Sequence, residues 1–90
     1  MAVTKTITAQ NTYSDTIAIS ADLFSVSVQG TFTATVTLQK TYDGGTNWYD
    51  VETFTSAGEW WGTEPEGSIY RIGVKTGEYT IGTIYTRIGK

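Results

Sequence analysis

Acid–base chemistry in this chain would have to come from carboxylates. Glu59, Glu64 and Glu66 lie close together beside the adjacent tryptophans Trp60 and Trp61, and Asp50 and Glu52 form the other acidic grouping. A glycosidase needs two carboxylates facing each other across a cleft. Nothing in these spacings sets such a separation, and a chain of 90 residues rarely holds a deep cleft. The sequence has no His, so it lacks the commonest general base, the commonest metal ligand and the usual pH switch. It has no Cys, which removes disulfides, a thiol nucleophile and thiolate metal sites. The expectation is a protein that is not an enzyme, with no cofactor and no resident metal.

The carboxylates have simpler uses. Glu64 or Glu66 is expected to pair with Arg71, as an exposed ion pair worth little. Asp50 and Glu52 would charge the outer face of a strand and discourage edge-to-edge association. Trp60 and Trp61 are open to several readings. Adjacent aromatics make good anchors at protein interfaces, because an indole offers large area at low entropy cost. They could also stack on a sugar ring, together with Tyr42. Equally, one could plug the open end of a small sandwich while the other lies on the surface. Contact with another protein chain is preferred over contact with a glycan, and Glu59, Trp60, Trp61, Glu64 and Glu66 are the first interaction candidates.

One motif is specific. Thr41-Tyr42-Asp43-Gly44-Gly45-Thr46-Asn47-Trp48 follows the Asp-box pattern Ser/Thr-x-Asp-x-Gly-x-x-Trp, with Asn47 where Thr is frequent. Physically it is a stapled hairpin. Asp43 would accept backbone N–H groups within the turn, Gly45 would take a positive φ, and Trp48 would cover the hairpin base. Thr41, Asp43, Gly45 and Trp48 are therefore given structural roles. A calcium site there would have one carboxylate, far short of the usual six to eight oxygens.

The elements that carry these residues alternate with a period of two. Residues 3–9 form a weakly alternating edge strand, and its Val3, Lys5 and Ile7 complete the interaction candidates. Residues 16–19 are a short apolar piece, and residues 20–24 could hold a single helical turn. Phe24, Val26 and Val28 point one way. Phe32, Ala34, Val36 and Leu38 form one face of a longer strand, with Thr31, Thr33, Thr35 and Thr37 as a solvent-facing row of hydroxyls. That row is too narrow for the flat arrays of ice-binding surfaces. The Asp-box turn leads into a return strand at residues 48–54. Residues 55–67 read as the longest irregular stretch. Residues 68–76 are a strand, Gly77-Glu78 a tight turn, and residues 79–88 the last strand. With 18 Thr among 90 residues and many Val, Ile and aromatic side chains, the composition favours pleated structure. Seven or eight short strands with no convincing helix predict one all-β domain over residues 1–90, an antiparallel β-sandwich of immunoglobulin-like or jelly-roll-like type.

Six Lys and Arg against nine Asp and Glu give a net charge of −3, which argues against a nucleic-acid or anionic-membrane partner. No apolar stretch reaches the length of a membrane span, and the N-terminal residues do not read as a secretory signal, so synthesis in a cytoplasm is expected.

Residues 24–89 also resemble small virion proteins of tailed bacteriophages. The resemblance rests on Gly30-Thr31-Phe32-Thr33-Ala34-Thr35-Val36-Thr37-Leu38-Gln39, the Asp-Gly-Gly hairpin with Trp48 and Asp50-Val51, and Glu64-Pro65-Glu66-Gly67. It continues through Tyr70-Arg71-Ile72-Gly73-Val74-Lys75-Thr76-Gly77 and the closing Gly82-Thr83-Ile84 with Arg87-Ile88-Gly89. It implies a β-sandwich on the virus particle, whose nearest role is a capsid decoration (cement) protein on the outer shell. Its partner would be the major capsid protein or another virion protein, with homo-oligomers also in view. Related small sandwiches serve as head–tail or tail components. The resemblance carries over no residue-level site.

Overall fold

Alternating apolar residues that fit a pleat need a second layer to cover them, and this chain supplies it by folding back on itself. The computed structural model describes residues 2–20 and 22–90. Its strands are β1 (Ala2–Ile7), β2 (Thr12–Tyr13), β3 (Ile17–Ile19), β4 (Asp22–Gln29), β5 (Phe32–Ala34) and β6 (Val36–Thr41). They continue with β7 (Tyr49–Phe54), β8 (Gly58–Glu64), β9 (Ser68–Val74), β10 (Tyr79–Gly82) and β11 (Ile84–Gly89). Every pairing is antiparallel.

The first sheet has the order β1-β11-β4-β8. The second has the order β2-β9-β6-β7, with β3 also paired to β9. A small ribbon, β10-β5, packs its Phe32, Ala34 and Tyr79 against the core. Let β2 and β3 count as one interrupted strand and set the ribbon aside. Eight strands then remain: the first, eighth, third and sixth form one sheet, and the second, seventh, fourth and fifth form the other. That is the order of a jelly roll, in which the chain keeps crossing between two facing sheets. Of the two sandwich types the sequence allows, the pairing selects this one.

The inner faces meet in an aliphatic core. Val26, Val28, Ile84 and Ile88 from the first sheet and Val36, Leu38, Ile72 and Val74 from the second are all fully buried. Phe24 joins the two layers, its ring 4.7 Å from Tyr70 and 5.6 Å from Trp60 between centroids.

Several sequence expectations are corrected, among them the strand count, which is eleven among the described residues and not seven or eight. Residues 55–67 are not a long loop, because β8 runs through them and pairs with β4 over its whole length, from Asp22 opposite Glu64 to Val28 opposite Gly58. The expected strand through residues 31–38 is two strands in different sheets, β5 and β6, separated at Thr35. Its threonines do not make one solvent-facing row: Thr31 and Thr33 are exposed, Thr35 is half-buried and Thr37 is only 1% exposed. The last strand is likewise broken at Thr83, where the chain leaves the ribbon for the first sheet. The helical turn considered for residues 20–24 is replaced by strand from Asp22 onward, and residue 21 lies outside the described residues.

Candidate functional site

The Asp-box hairpin joins β6 to β7. Thr41 Oγ1 donates to Asp43 Oδ1 at 2.7 Å and accepts from the Gly45 N–H at 3.1 Å. The Asn47 N–H donates to Asp43 Oδ1 at 2.9 Å, and Asn47 Nδ2 donates to Asp43 Oδ2 at 2.7 Å. Both oxygens of Asp43 are thus used inside the turn. Its pKa falls to about 2, chiefly through the Asn47 N–H and then the Thr41 hydroxyl and the Asn47 amide, which all favour the charged form. Gly45 has a φ of 103°, a region closed to most side chains. The Trp48 indole lies just beneath Gly45. The motif is a self-contained staple, and Asn47 takes part in it through side chain and backbone.

Trp48 also belongs to the outer face of the second sheet. The Arg71 guanidinium lies 4.1 Å from the Trp48 ring centroid and 3.9 Å from that of Tyr13, held between two aromatic rings. Arg71 Nε donates to Gln39 Oε1 at 2.9 Å, and Gln39 Nε2 donates to Asp50 Oδ1 at 3.0 Å. Lys75 pairs with the other oxygen of Asp50. The Lys75 hydrogen bond, followed by that of Gln39, lowers the pKa of Asp50. Arg71 therefore pairs with neither Glu64 nor Glu66, contrary to the sequence expectation: Glu64, at the end of β8 in the first sheet, points inward to Tyr70, whereas Arg71 projects from the outer face of the second sheet. This face is closed by its own side chains.

Among the described residues Glu64 is the buried carboxylate, 3% exposed, at the end of β8. Its Oε1 accepts from Tyr70 Oη at 2.8 Å and lies 3.5 Å from Lys40 Nζ. Its Oε2 accepts from the N–H groups of Glu66 and Gly67, each at 3.2 Å. Burial raises its pKa, but the Tyr70 hydroxyl, the two N–H groups and Lys40 together outweigh this and hold it below the ordinary value. Burial and the neighbouring carboxylate push the Tyr70 phenol well up. Both carboxylate oxygens of Glu64 are engaged, Oε2 by the turn after β8 and Oε1 by Tyr70 and Lys40, so it is a structural anchor and not an interaction surface.

Trp60 and Trp61 follow each other in β8 and therefore point to opposite faces. Trp60 turns inward and packs against the core. Its ring occupies the space beside Gly62, where a Cβ would stand 2.7 Å from Trp60 Cη2. Trp61 turns outward and is 73% exposed. A stacking platform built from both indoles is not formed.

The outer face of the first sheet gathers the remaining candidates. The pairing places Gly89, Ser25 and Trp61 in one row across β11, β4 and β8, and Arg87, Ser27 and Glu59 in the next. Leu23 and Tyr85 extend the face and are 59% and 53% exposed. A shallow depression of about 400 Å³ lies between Trp61 and Arg87, lined also by Leu23, Ser25 and Gly89. Glu59 is exposed and accepts a 3.4 Å hydrogen bond from Ser27. Glu66 is exposed in the turn between β8 and β9.

Along β1, at the far edge of the same sheet, Lys5 is exposed, Val3 packs partly buried against the core and Ile7 is fully buried. Ile7, Trp60 and Glu64 are therefore withdrawn as contact residues, whereas Glu59, Trp61, Glu66 and Lys5 face outward. Leu23, Ser25, Arg87 and Gly89 share a surface with Trp61 that the sequence reading did not assemble. The outward parity of β4 and β11 could have supplied them once 58–64 was known to be a strand. Among the described residues no group of three or more Asp or Glu side chains is placed to hold a metal ion. Comparison with protein-family models, with curated proteins and with solved structures returned no match.

Proposed function

We propose that this chain is a structural protein of a tailed-phage virion, a capsid decoration protein that binds the outer shell and strengthens it without catalysing a reaction. The observation that carries the reading is the uncovered outer face of the first sheet, where Trp61 is 73% exposed beside Leu23, and Tyr85 is exposed two rows further along the same face. An apolar patch rimmed by polar groups is the mark of an interaction surface. By contrast, among the described residues no group of three or more acidic side chains converges on one point. Glu59 faces outward, Glu64 is consumed by its turn, and Asp43 is consumed by the hairpin. The resemblance of residues 24–89 to small virion proteins supplies the setting, with a capsid protein as the partner. The β1 edge, carrying exposed Thr4, Lys5 and Thr6, offers further main-chain contact to the shell.

A ligand that binds only the assembled shell stabilises it by RT ln(1 + [L]/Kd) per site, about 2.7 kcal/mol at a hundred times Kd. Repeated over many symmetric sites, this resists internal pressure without chemistry. Heating purified capsids with and without this chain tests the reading. Capsids lacking it should release their DNA at a lower temperature, and equal resistance would turn the reading toward the tail.

A further inference from the structure

Beside the ribbon, five polar side chains line one depression of about 440 Å³: Thr33, Thr35, Thr55, Glu78 and Thr80, with Phe32 among them. The backbone there is pinned. The Thr35 N–H donates to the Glu78 carbonyl at 2.9 Å, and the Glu78 N–H donates to the Lys75 carbonyl at 3.1 Å. Thr80 is the extra residue of a β-bulge, since Tyr79 pairs with Ala34 and Ile81 with the adjacent Thr33. Bulges re-aim a side chain and recur beside active sites.

The carboxylate is the unusual member of the group. Glu78 Oε1 is buried and accepts no hydrogen bond from the described residues. The described ion pairs are Lys40–Glu64 and Lys75–Asp50, and Glu78 belongs to neither. Lys75 feels its charge but is held by Asp50. Among the described residues, none of the four threonine hydroxyls bonds to another part of the chain. A buried acceptor without a donor is costly, and the donor that relieves it must come from outside the chain.

From this geometry we infer that the depression receives a primary ammonium group, the tip of a lysine side chain carried by another protein. An ammonium has three donors and no acceptor. Glu78 Oε1 takes one, and the surrounding threonine hydroxyls take the others. Its charge also answers the unpaired carboxylate, which a neutral sugar hydroxyl leaves uncompensated. A guanidinium is a wide planar fork, whereas a compact ammonium suits a ring of single oxygens.

The rim points to a protein as the carrier. Ile81, opposite Thr33 on the ribbon, is 66% exposed and offers apolar contact around the lysine that a free amine does not use. Gly77 leaves that side open, since a Cβ there would meet nothing within 4 Å. A net charge of −3 favours a basic partner. The Trp61 face is lined by other residues, so the inference is independent of the shell reading.

Butylammonium, the lysine side chain without its backbone, is the probe. Titrated into the purified chain at constant ionic strength, it should shift the Thr35, Gly77 and Glu78 amide signals in NMR with a Kd of about 1–20 mM. Glu78→Gln should weaken binding about tenfold and Thr80→Val about threefold, with thermal melts to confirm that each variant is folded. Trp61→Ala should change nothing, which keeps this result apart from the fate of the shell reading. Lysine blocked as its N-acetyl methylamide should bind like butylammonium. Amides unmoved up to about 100 mM probe would overturn the inference. So would equal shifts with tetramethylammonium, which cannot donate, or undiminished binding to Glu78→Gln. A response to glucose or galactose in place of butylammonium would assign the site to a sugar, and exclusion of the blocked lysine would assign it to a free amine. Either result would also overturn it.

Discussion

Glu64→Gln is the most informative single change, because it keeps the shape of the side chain and alters only its charge and hydrogen-bonding sense. In the wild type, Oε2 accepts from two backbone N–H groups, and Oε1 accepts from Tyr70 while facing Lys40. An amide can offer an oxygen to one side only. If it keeps Tyr70, its NH₂ faces the N–H groups of Glu66 and Gly67, and two donors lose their acceptor. If it turns round, its NH₂ faces Lys40. An unsatisfied group costs about 1–3 kcal/mol when buried. The turn is partly wetted, which puts the expected loss near 2 kcal/mol. For a domain of this size that lowers the melting temperature by about 8–16 °C.

The same substitution has a signature in pH. The folded-state pKa of Glu64 lies below the ordinary glutamate value of about 4.3. Its stabilisation is therefore complete above that value and is lost as pH falls through the folded pKa. Other carboxylates titrate equally in both proteins, so the difference between wild type and Glu64→Gln isolates this group. Calorimetry from pH 7 down to pH 3 should show a constant gap in melting temperature to about pH 5, narrowing below about pH 4.3. Coincident melts at neutral pH, or a gap that persists unchanged into acid, would refute the anchoring role.

Three other changes probe separate parts of the fold. Tyr70→Phe should lose about 1.5–3 kcal/mol by urea denaturation, and combined with Glu64→Gln it should lose less than the sum, since the two share one hydrogen bond. Gly45→Val should cost about 1–3 kcal/mol, because a branched side chain is strained at a φ of 103°, and an unchanged melt would contradict the turn geometry. Arg71→Lys keeps the charge but loses the flat stack between Tyr13 and Trp48, so it should cost about 1–2 kcal/mol by denaturation and alter Trp48 fluorescence.

The period-two alternation made most of the sandwich legible. In β4 and β9 the inward residues are Phe24, Val26, Val28 and Tyr70, Ile72, Val74, an unbroken apolar series. The Asp-box could be read from residue types alone because its bonds are local, all within residues 41–47. β8 was not legible for a physical reason. Its inward residues are Gly58, Trp60, Gly62 and Glu64, so the pattern that announces a strand is missing. One large indole fills the room that the glycine at 62 leaves, and a buried carboxylate ends the series with partners from elsewhere in the chain. That misreading carried the site with it. A Trp-Trp pair on a loop suggests a platform, whereas on a strand it divides into one core residue and one surface residue. The breaks at Thr35 and Thr83 were hidden because alternation continues while the chain changes sheets. Only the pairing partners reveal the crossing.

Immunogold electron microscopy of virions made from the genome that encodes this chain tests the central claim most directly. Label distributed over the outside of intact heads is the expected result. Label confined to tails, or absent from particles while the protein accumulates free in the lysate, would contradict it.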